Sequence, residues 1–115
     1  MNNPPVHVGI DIAKTSFQYH LSPHLTGSLP NTPAGFRRLH RRLAQLPAPA
    51  HVICEATGGY EQPLVAHCWR TGVPVSIVDP ARVRHFIKGK GQRAKTDPID
   101  ARLLARFGAE NQPRP

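Results

Sequence analysis

Apolar and polar positions change period several times along the 115 residues, and the changes mark out nine elements. Val6-His7-Val8-Gly9-Ile10-Asp11 is an apolar, β-branched run that closes on an acid, and it predicts a strand. Ser16 to Leu21 predicts a second strand, joined to the first through Ala13-Lys14-Thr15, and Gly27 to Leu29 a short third. The period then becomes helical: Phe36, Leu39, Leu43 and Leu46 fall on one stripe. Asn31 or Thr32 is placed to cap this helix, with Pro33 in its first turn, and Pro47 and Pro49 end it. A strand over His51 to Glu55 follows, and Thr57-Gly58-Gly59 leads into a helix from Tyr60 to Arg70 with Gly72 as its C-cap. Val73 to Val78 predicts another strand, Asp79-Pro80 a turn, and Ala81 to Ile87 a helix. Gly89 to Lys95 reads as a mobile basic loop. The last helix is expected to start at Asp97-Pro98, with Ile99, Leu103, Leu104 and Phe107 on its buried side. No internal repeat interrupts the series.

The predicted order is β-β-β-α-β-α-β-α-α. Hairpin-linked strands followed by alternating helices and strands imply an α/β domain with a mixed five-stranded sheet flanked by helices. This is the order of the ribonuclease-H-like fold, in which the first and fourth strands are neighbours. Asp11 and Glu55 would then meet at the centre of the sheet. Residues 1–110 are expected to form one domain, and 111–115 a tail or the start of a linker.

Charge narrows the function classes. Fifteen Lys and Arg against seven Asp and Glu leave a net charge of +8, which points to a polyanion, nucleic acid before acidic lipid. No apolar run approaches the ~18 residues that span a membrane. Met1-Asn2-Asn3-Pro4-Pro5 has neither the charged start nor the apolar stretch of a signal peptide. Cys54 and Cys68 lack close-spaced partners, so they read as buried hydrophobes rather than zinc ligands or a disulfide pair. A reducing cytoplasm is the expected location. The basic residues form two groups. Arg37, Arg38, Arg41 and Arg42 share one helix, whereas Arg82, Arg84, Lys88, Lys90, Arg93, Lys95, Arg102 and Arg106 crowd the last third. Both could be solvated faces, but the second surrounds acids and is expected to contact phosphate.

Four of the seven acids, Asp11, Glu55, Asp97 and Asp100, stand where they could converge. Magnesium takes hard oxygen ligands, commonly a few carboxylates plus water and substrate phosphate. A pair of such ions can stabilise both the attacking and the leaving oxygen of a phosphodiester exchange. On one helix, Asp97 and Asp100 would lie ~5–6 Å apart on a single face. Each acid also has a plainer reading. Asp97-Pro98-Ile99-Asp100 makes a good helix start with Asp97 as N-cap, and Asp11 could end a strand. An acid closing a central strand, as Glu55 does, needs a partner. The turn through Gly58 and Gly59 bares N–H groups before a helix, a geometry suited to phosphate, and equally an ordinary glycine turn. His20 and His24 read as surface residues, and Tyr60, Leu64 and Trp69 as helix packing.

Four blocks then resemble a known family: Val8-Gly9-Ile10-Asp11-Ile12-Ala13-Lys14, Asn31-Thr32-Pro33-Ala34-Gly35-Phe36, Glu55-Ala56-Thr57-Gly58-Gly59-Tyr60 and Lys95-Thr96-Asp97-Pro98-Ile99-Asp100-Ala101. They are similar to the DEDD-type insertion-sequence transposases, a family that includes Piv-type DNA invertases and bridge-RNA-guided recombinases. The resemblance runs from Val6 to Phe107. It implies a RuvC-type N-terminal domain whose tetrad maps to Asp11, Glu55, Asp97 and Asp100, holding Mg²⁺ or Mn²⁺ and acting on DNA strands in transposition. Members also carry a C-terminal domain with a catalytic serine. Ser16, Ser22, Ser28 and Ser76 lie in the wrong region to replace it, so the chain is read as part of a longer recombinase and its own activity as incomplete.

On this reading Lys14, Lys90, Arg93 and Lys95 would contact phosphate near the metals. Arg37, Arg38, Arg41 and Arg42 would bind a structured guide RNA or flanking DNA. A homo-oligomer is expected for the full-length protein, with no membrane partner. Two alternatives stay open: a stand-alone Holliday-junction or structure-specific nuclease, and a non-catalytic nucleic-acid-binding module.

Overall fold

Five strands and four helices follow one another in the computed structural model, which describes residues 4–90 and 99–115. They are β1 (Val6–Ile12), β2 (Ser16–Ser22), β3 (Leu25–Pro30), α1 (Pro33–Ala44), β4 (Ala50–Glu55), α2 (Gln62–Thr71), β5 (Val75–Val78), α3 (Pro80–Lys90) and α4 (Ala101–Asn111). The sheet order is β3-β2-β1-β4-β5. β1 pairs antiparallel with β2 and parallel with β4, and β4 pairs parallel with β5. This is the expected mixed five-stranded α/β sheet, with β1 and β4 side by side at its centre.

Strand alternation sorts the residues onto two faces. Val8, Ile10, Ile12, Val52 and Cys54 point to one side, where they pack with Phe36, Leu39 and Leu43 of α1 and Leu64, Val65 and Cys68 of α2. Ile53 and Val78 point to the other, against Val83 and Ile87 of α3 and Leu103, Leu104 and Phe107 of α4. Burying each such side chain contributes ~1.5–3 kcal/mol. Both cysteines lie in the α1–α2 layer, and burial pushes the Cys54 thiol up to about 12 and that of Cys68 to about 11.

Helix α4 lies across β1 at close range because Gly9 has no side chain. A Cβ there would stand 1.8 Å from the carbonyl oxygen of Ala101 and 2.6 Å from the Ala105 nitrogen. At the far end of the helix a Cβ on Gly108 would stand 2.5 Å from Ile53.

Of the two residues placed to cap α1, Thr32 does so, its hydroxyl accepting from the Gly35 N–H. The helix boundaries bring two corrections. The last helix starts at Ala101 rather than at Asp97-Pro98, because Asp100 is its N-cap. Asp100 has extended backbone (φ −107°, ψ 175°), and its carboxylate accepts from the Leu103 N–H at 2.9 Å. Asp97, with the helical i, i+3 spacing expected between it and Asp100, lies outside the described residues. Gly89 and Lys90 belong to α3 rather than to a loop, while 91–95 are outside the described residues.

Candidate active site

Parallel pairing of β1 with β4 aligns Ile10 with Cys54, so the next residues, Asp11 and Glu55, end the two strands side by side. Both face the α3–α4 side, since their neighbours Ile10 and Cys54 are in the opposite layer. Each is partly buried. Burial raises the pKa of Asp11, and nearby Asp100 raises it further. Burial raises that of Glu55 too, Asp11 adds to the rise, and Arg84 on α3 opposes it. Oε2 of Glu55 is buried and has no hydrogen-bond partner. A buried acceptor left without a donor is uncommon and costly, and calls for an explanation. The structure therefore brings Asp11 into electrostatic reach of both Glu55 and Asp100. Among the described residues, no three His, Cys, Asp or Glu side chains are grouped closely enough to hold a metal ion.

The turn after β4 differs from the expectation of an open phosphate cradle. Oε1 of Glu61, a buried residue, accepts from the Thr57 N–H (3.0 Å), the Thr57 hydroxyl (2.8 Å) and the Gly59 N–H (3.1 Å). Its burial favours the neutral acid, but these hydrogen bonds outweigh burial and hold its pKa below the ordinary value. The chain's own carboxylate thus occupies donors that a phosphate would need. Gly58 and Gly59 have φ of 81° and 115° and provide the left-handed turn that closes round it. The sequence signal for Glu61 was an acid four residues after Thr57, at the end of a glycine turn.

Asn31 is a second positioning residue missed from sequence. Its Nδ2 donates to the carbonyls of Ala13 (3.1 Å), Lys14 (3.5 Å) and Tyr60 (3.2 Å). It ties the turn after Asp11 to the turn after Glu55, and so fixes the mouth between the two strand ends.

Over residues 8–115 the chain matches the family model for DEDD transposases of the IS110 type, described as a transposase. The chain belongs to this transposase family. It is also similar to the pilin gene-inverting proteins of Moraxella lacunata and Moraxella bovis, 37% identical to each over 117 residues. Those alignments cover 93% of this chain and 35% of each relative, so the chain spans about a third of the length of the curated relatives it matches.

Basic residues of this transposase-family chain fall into separate regions. Lys14 is exposed in the turn directly after β1, three residues beyond Asp11 in the chain. Arg37, Arg38, Arg41 and Arg42 are exposed on α1, across the sheet from Asp11 and Glu55, with Arg42 5.7 Å above the Tyr19 ring. The structure does not bring this group to the acidic pair. Lys90 ends α3, with its side chain outside the described set, and Arg93 and Lys95 lie outside it altogether. Two plainer readings are also corrected. His20 is half-buried and within electrostatic reach of Arg102 and Asp100, rather than a surface residue. Trp69 is 73% exposed and Tyr60 46%, so of the three residues read as helix packing only Leu64 is buried.

Proposed function

We propose that Asp11, Glu55, Asp97 and Asp100 form the metal-binding catalytic centre of an insertion-sequence transposase or site-specific recombinase. The observation that carries this reading is the orphaned Oε2 of Glu55 at the end of a central strand, one strand from a second acid whose pKa is also raised. Two acids kept close in a partly buried site, with no donor supplied to one of them, are unfavourable alone and favourable around a cation. Hard carboxylate oxygens suit Mg²⁺ or Mn²⁺. A bound divalent ion would supply charge stabilisation to a phosphodiester exchange on DNA. Asp11 and Glu55 would hold it from the sheet, Asp100 from the helix cap, and Asp97 from the segment before that cap.

Lys14, Lys90, Arg93 and Lys95 would place the DNA phosphates beside the acids. The arginines of α1, on the opposite face, would grip a different nucleic-acid segment, flanking DNA or a structured guide RNA. The full-length protein would act as a homo-oligomer in the cytoplasm, with residues 1–110 as its catalytic domain and 111–115 leading onward. Among the described residues no helix is long and apolar enough to cross a membrane.

Titration with Mg²⁺ and Mn²⁺, followed by melting temperature, tests the centre. Binding to the folded state at a hundred times Kd stabilises by ~2.7 kcal/mol, a shift of several degrees that Glu55→Gln should abolish. If neither ion moves the wild-type melting temperature, the catalytic reading fails and a non-catalytic nucleic-acid-binding module replaces it.

A further inference from the structure

Helix α4 covers β1 and parts of β2 and β4, but on its side of the sheet the described residues leave β3 and the adjoining part of β2 open. The gap is a trough of about 750 Å³, floored by β2 and β3 and walled by Asp100 and Arg102 at the start of α4. Four polar side chains stand on its floor, with Gly27 among them and Pro23 at its edge. Gln18 pairs with Ser28 and His20 with Thr26 across the two strands, and these four face the trough because Phe17, Tyr19 and Leu29 belong to the opposite layer. None of these four side chains, nor Arg102, is engaged in a hydrogen bond or ion pair among the described residues, so their donors and acceptors are available to a polar ligand.

Register connects this trough to the acids. Asp11 pairs with Gln18, and Gln18 with Ser28, while Glu55 sits level with Asp11 on the other side. Glu55, Asp11, Gln18 and Ser28 therefore form one row across four adjacent strands, ~4.8 Å from one to the next. A chain laid along that row passes from two carboxylates to an amide and then a hydroxyl.

We infer that the trough receives single-stranded DNA, the nucleotides adjoining the phosphate held at Asp11 and Glu55, with Gln18 reading a base edge and Arg102 holding the backbone. The inference rests on the reading of the acids as the centre of strand chemistry. Among the described residues Arg102 is the trough's one cation of fixed charge, and it lies where the strand would leave the acids. Asp100 opposes it, but as a helix cap its charge is directed to the Leu103 N–H. Glutamine is a good reader of adenine, with its amide matched to N6 and N7, and the hydroxyls of Ser28 and Thr26 can donate or accept. A duplex presents N6 and N7 only within its major groove, whereas a single strand lying in the trough can turn them, and its Watson–Crick edge, to the floor.

The test measures binding of short fluorescent single-stranded DNA oligonucleotides, differing at one base, and of the matching duplex. Arg102→Ala should weaken every single strand several-fold and reduce the salt slope by about 0.7. Gln18→Ala should erase most of the preference between bases, roughly tenfold, while changing the weakest binder little. Arg70→Ala, at the exposed end of α2 on the far face, serves as the comparison and should alter neither affinity nor base preference. The same pair of variants in a Glu55→Gln background separates the two readings. If Glu55→Gln leaves metal stabilisation intact while the trough variants behave as described, the acidic centre is wrong and the trough stands. Single-strand binding unchanged in both Arg102→Ala and Gln18→Ala overturns the trough, as does an equal loss on duplex DNA.

Discussion

At the amino ends of β1 and β4, His7 and His51 stand with ring centroids 5.3 Å apart. Nε2 of His51 lies 2.7 Å from the Ser76 hydroxyl, which donates onward to the carbonyl of Arg114 at 2.7 Å. With its single proton directed there, the serine accepts from His51, which fixes the imidazole tautomer. Four residues further along the same two strands, on the same face, stand Asp11 and Glu55. Here the acids repel each other and Oε2 of Glu55 has no partner. Between the two pairs lies a single apolar layer, Gly9 and Ile53. One end buries polar groups and satisfies them, as a structural network does. The other leaves a buried carboxylate oxygen without a donor among the described residues, as sites that await a ligand do. Burial alone does not separate the two ends; the supply of hydrogen bonds does.

Removing the layer between them should have the largest effect. Ile53 is fully buried against α4, so Ile53→Ala should cost ~2–5 kcal/mol, read by urea denaturation. A loss below ~1 kcal/mol would show that the separator contributes little. Next comes the histidine end. Ser76→Ala leaves His51 and the Arg114 carbonyl without their partner and should cost ~1–3 kcal/mol, whereas Asp11→Asn in metal-free buffer should leave stability equal or higher. If the serine change is silent and the aspartate change destabilises, the contrast is reversed.

Acidity should give the smallest effects, with opposite signs at the two ends. Burial lowers the pKa of both His7 and His51, and the two rings' mutual repulsion adds to the shift on His51. The folded chain thus binds protons there less readily than the unfolded one. The stability this end contributes is present above the ordinary value of 6.5 and is lost as pH falls through the lowered ones. Asp11 and Glu55 are raised, so their contribution is present below the ordinary 3.8 and 4.5 and is lost as pH rises through the folded values. Melting curves of His51→Gln should flatten the slope just below 6.5, and those of Glu55→Gln the slope above 4.5. Divalent metal should flatten only the second. The same slope in both variants would remove the distinction.

Much of this was legible in the sequence. Strand and helix periods gave the element order, because apolar alternation reports which face is buried, and the ribonuclease-H-like fold that shares this order puts β1 beside β4. The corrections fall where hydrogen bonds, rather than apolar burial, decide the outcome. Asp97-Pro98 and Asp100 both make sound helix starts, and the Asp100 carboxylate wins by reaching the Leu103 N–H. The glycine turn looked open because nothing in its pattern says that Glu61 folds back into it. His20 was read as a surface residue, although its neighbours across the sheet determine its surroundings. Trp69 sits next to the buried stripe of α2, and its size suggested burial that its position does not provide.

Gly9 has a consequence for how exact the centre can be. At most sites the spacing between two functional groups can drift, since side chains between them re-seat in other rotamers. Here the strand bearing Asp11 and the helix headed by Asp100 meet main chain to main chain, and a carbonyl has no rotamer to change. Their separation is thus a fixed tolerance, set by the smallest residue available. A single methyl at position 9 would have to lift the whole helix from the strand, taking Asp100 with it. Gly9→Ala should accordingly disturb the acids two residues away while adding nothing to them, an error of fit rather than of chemistry.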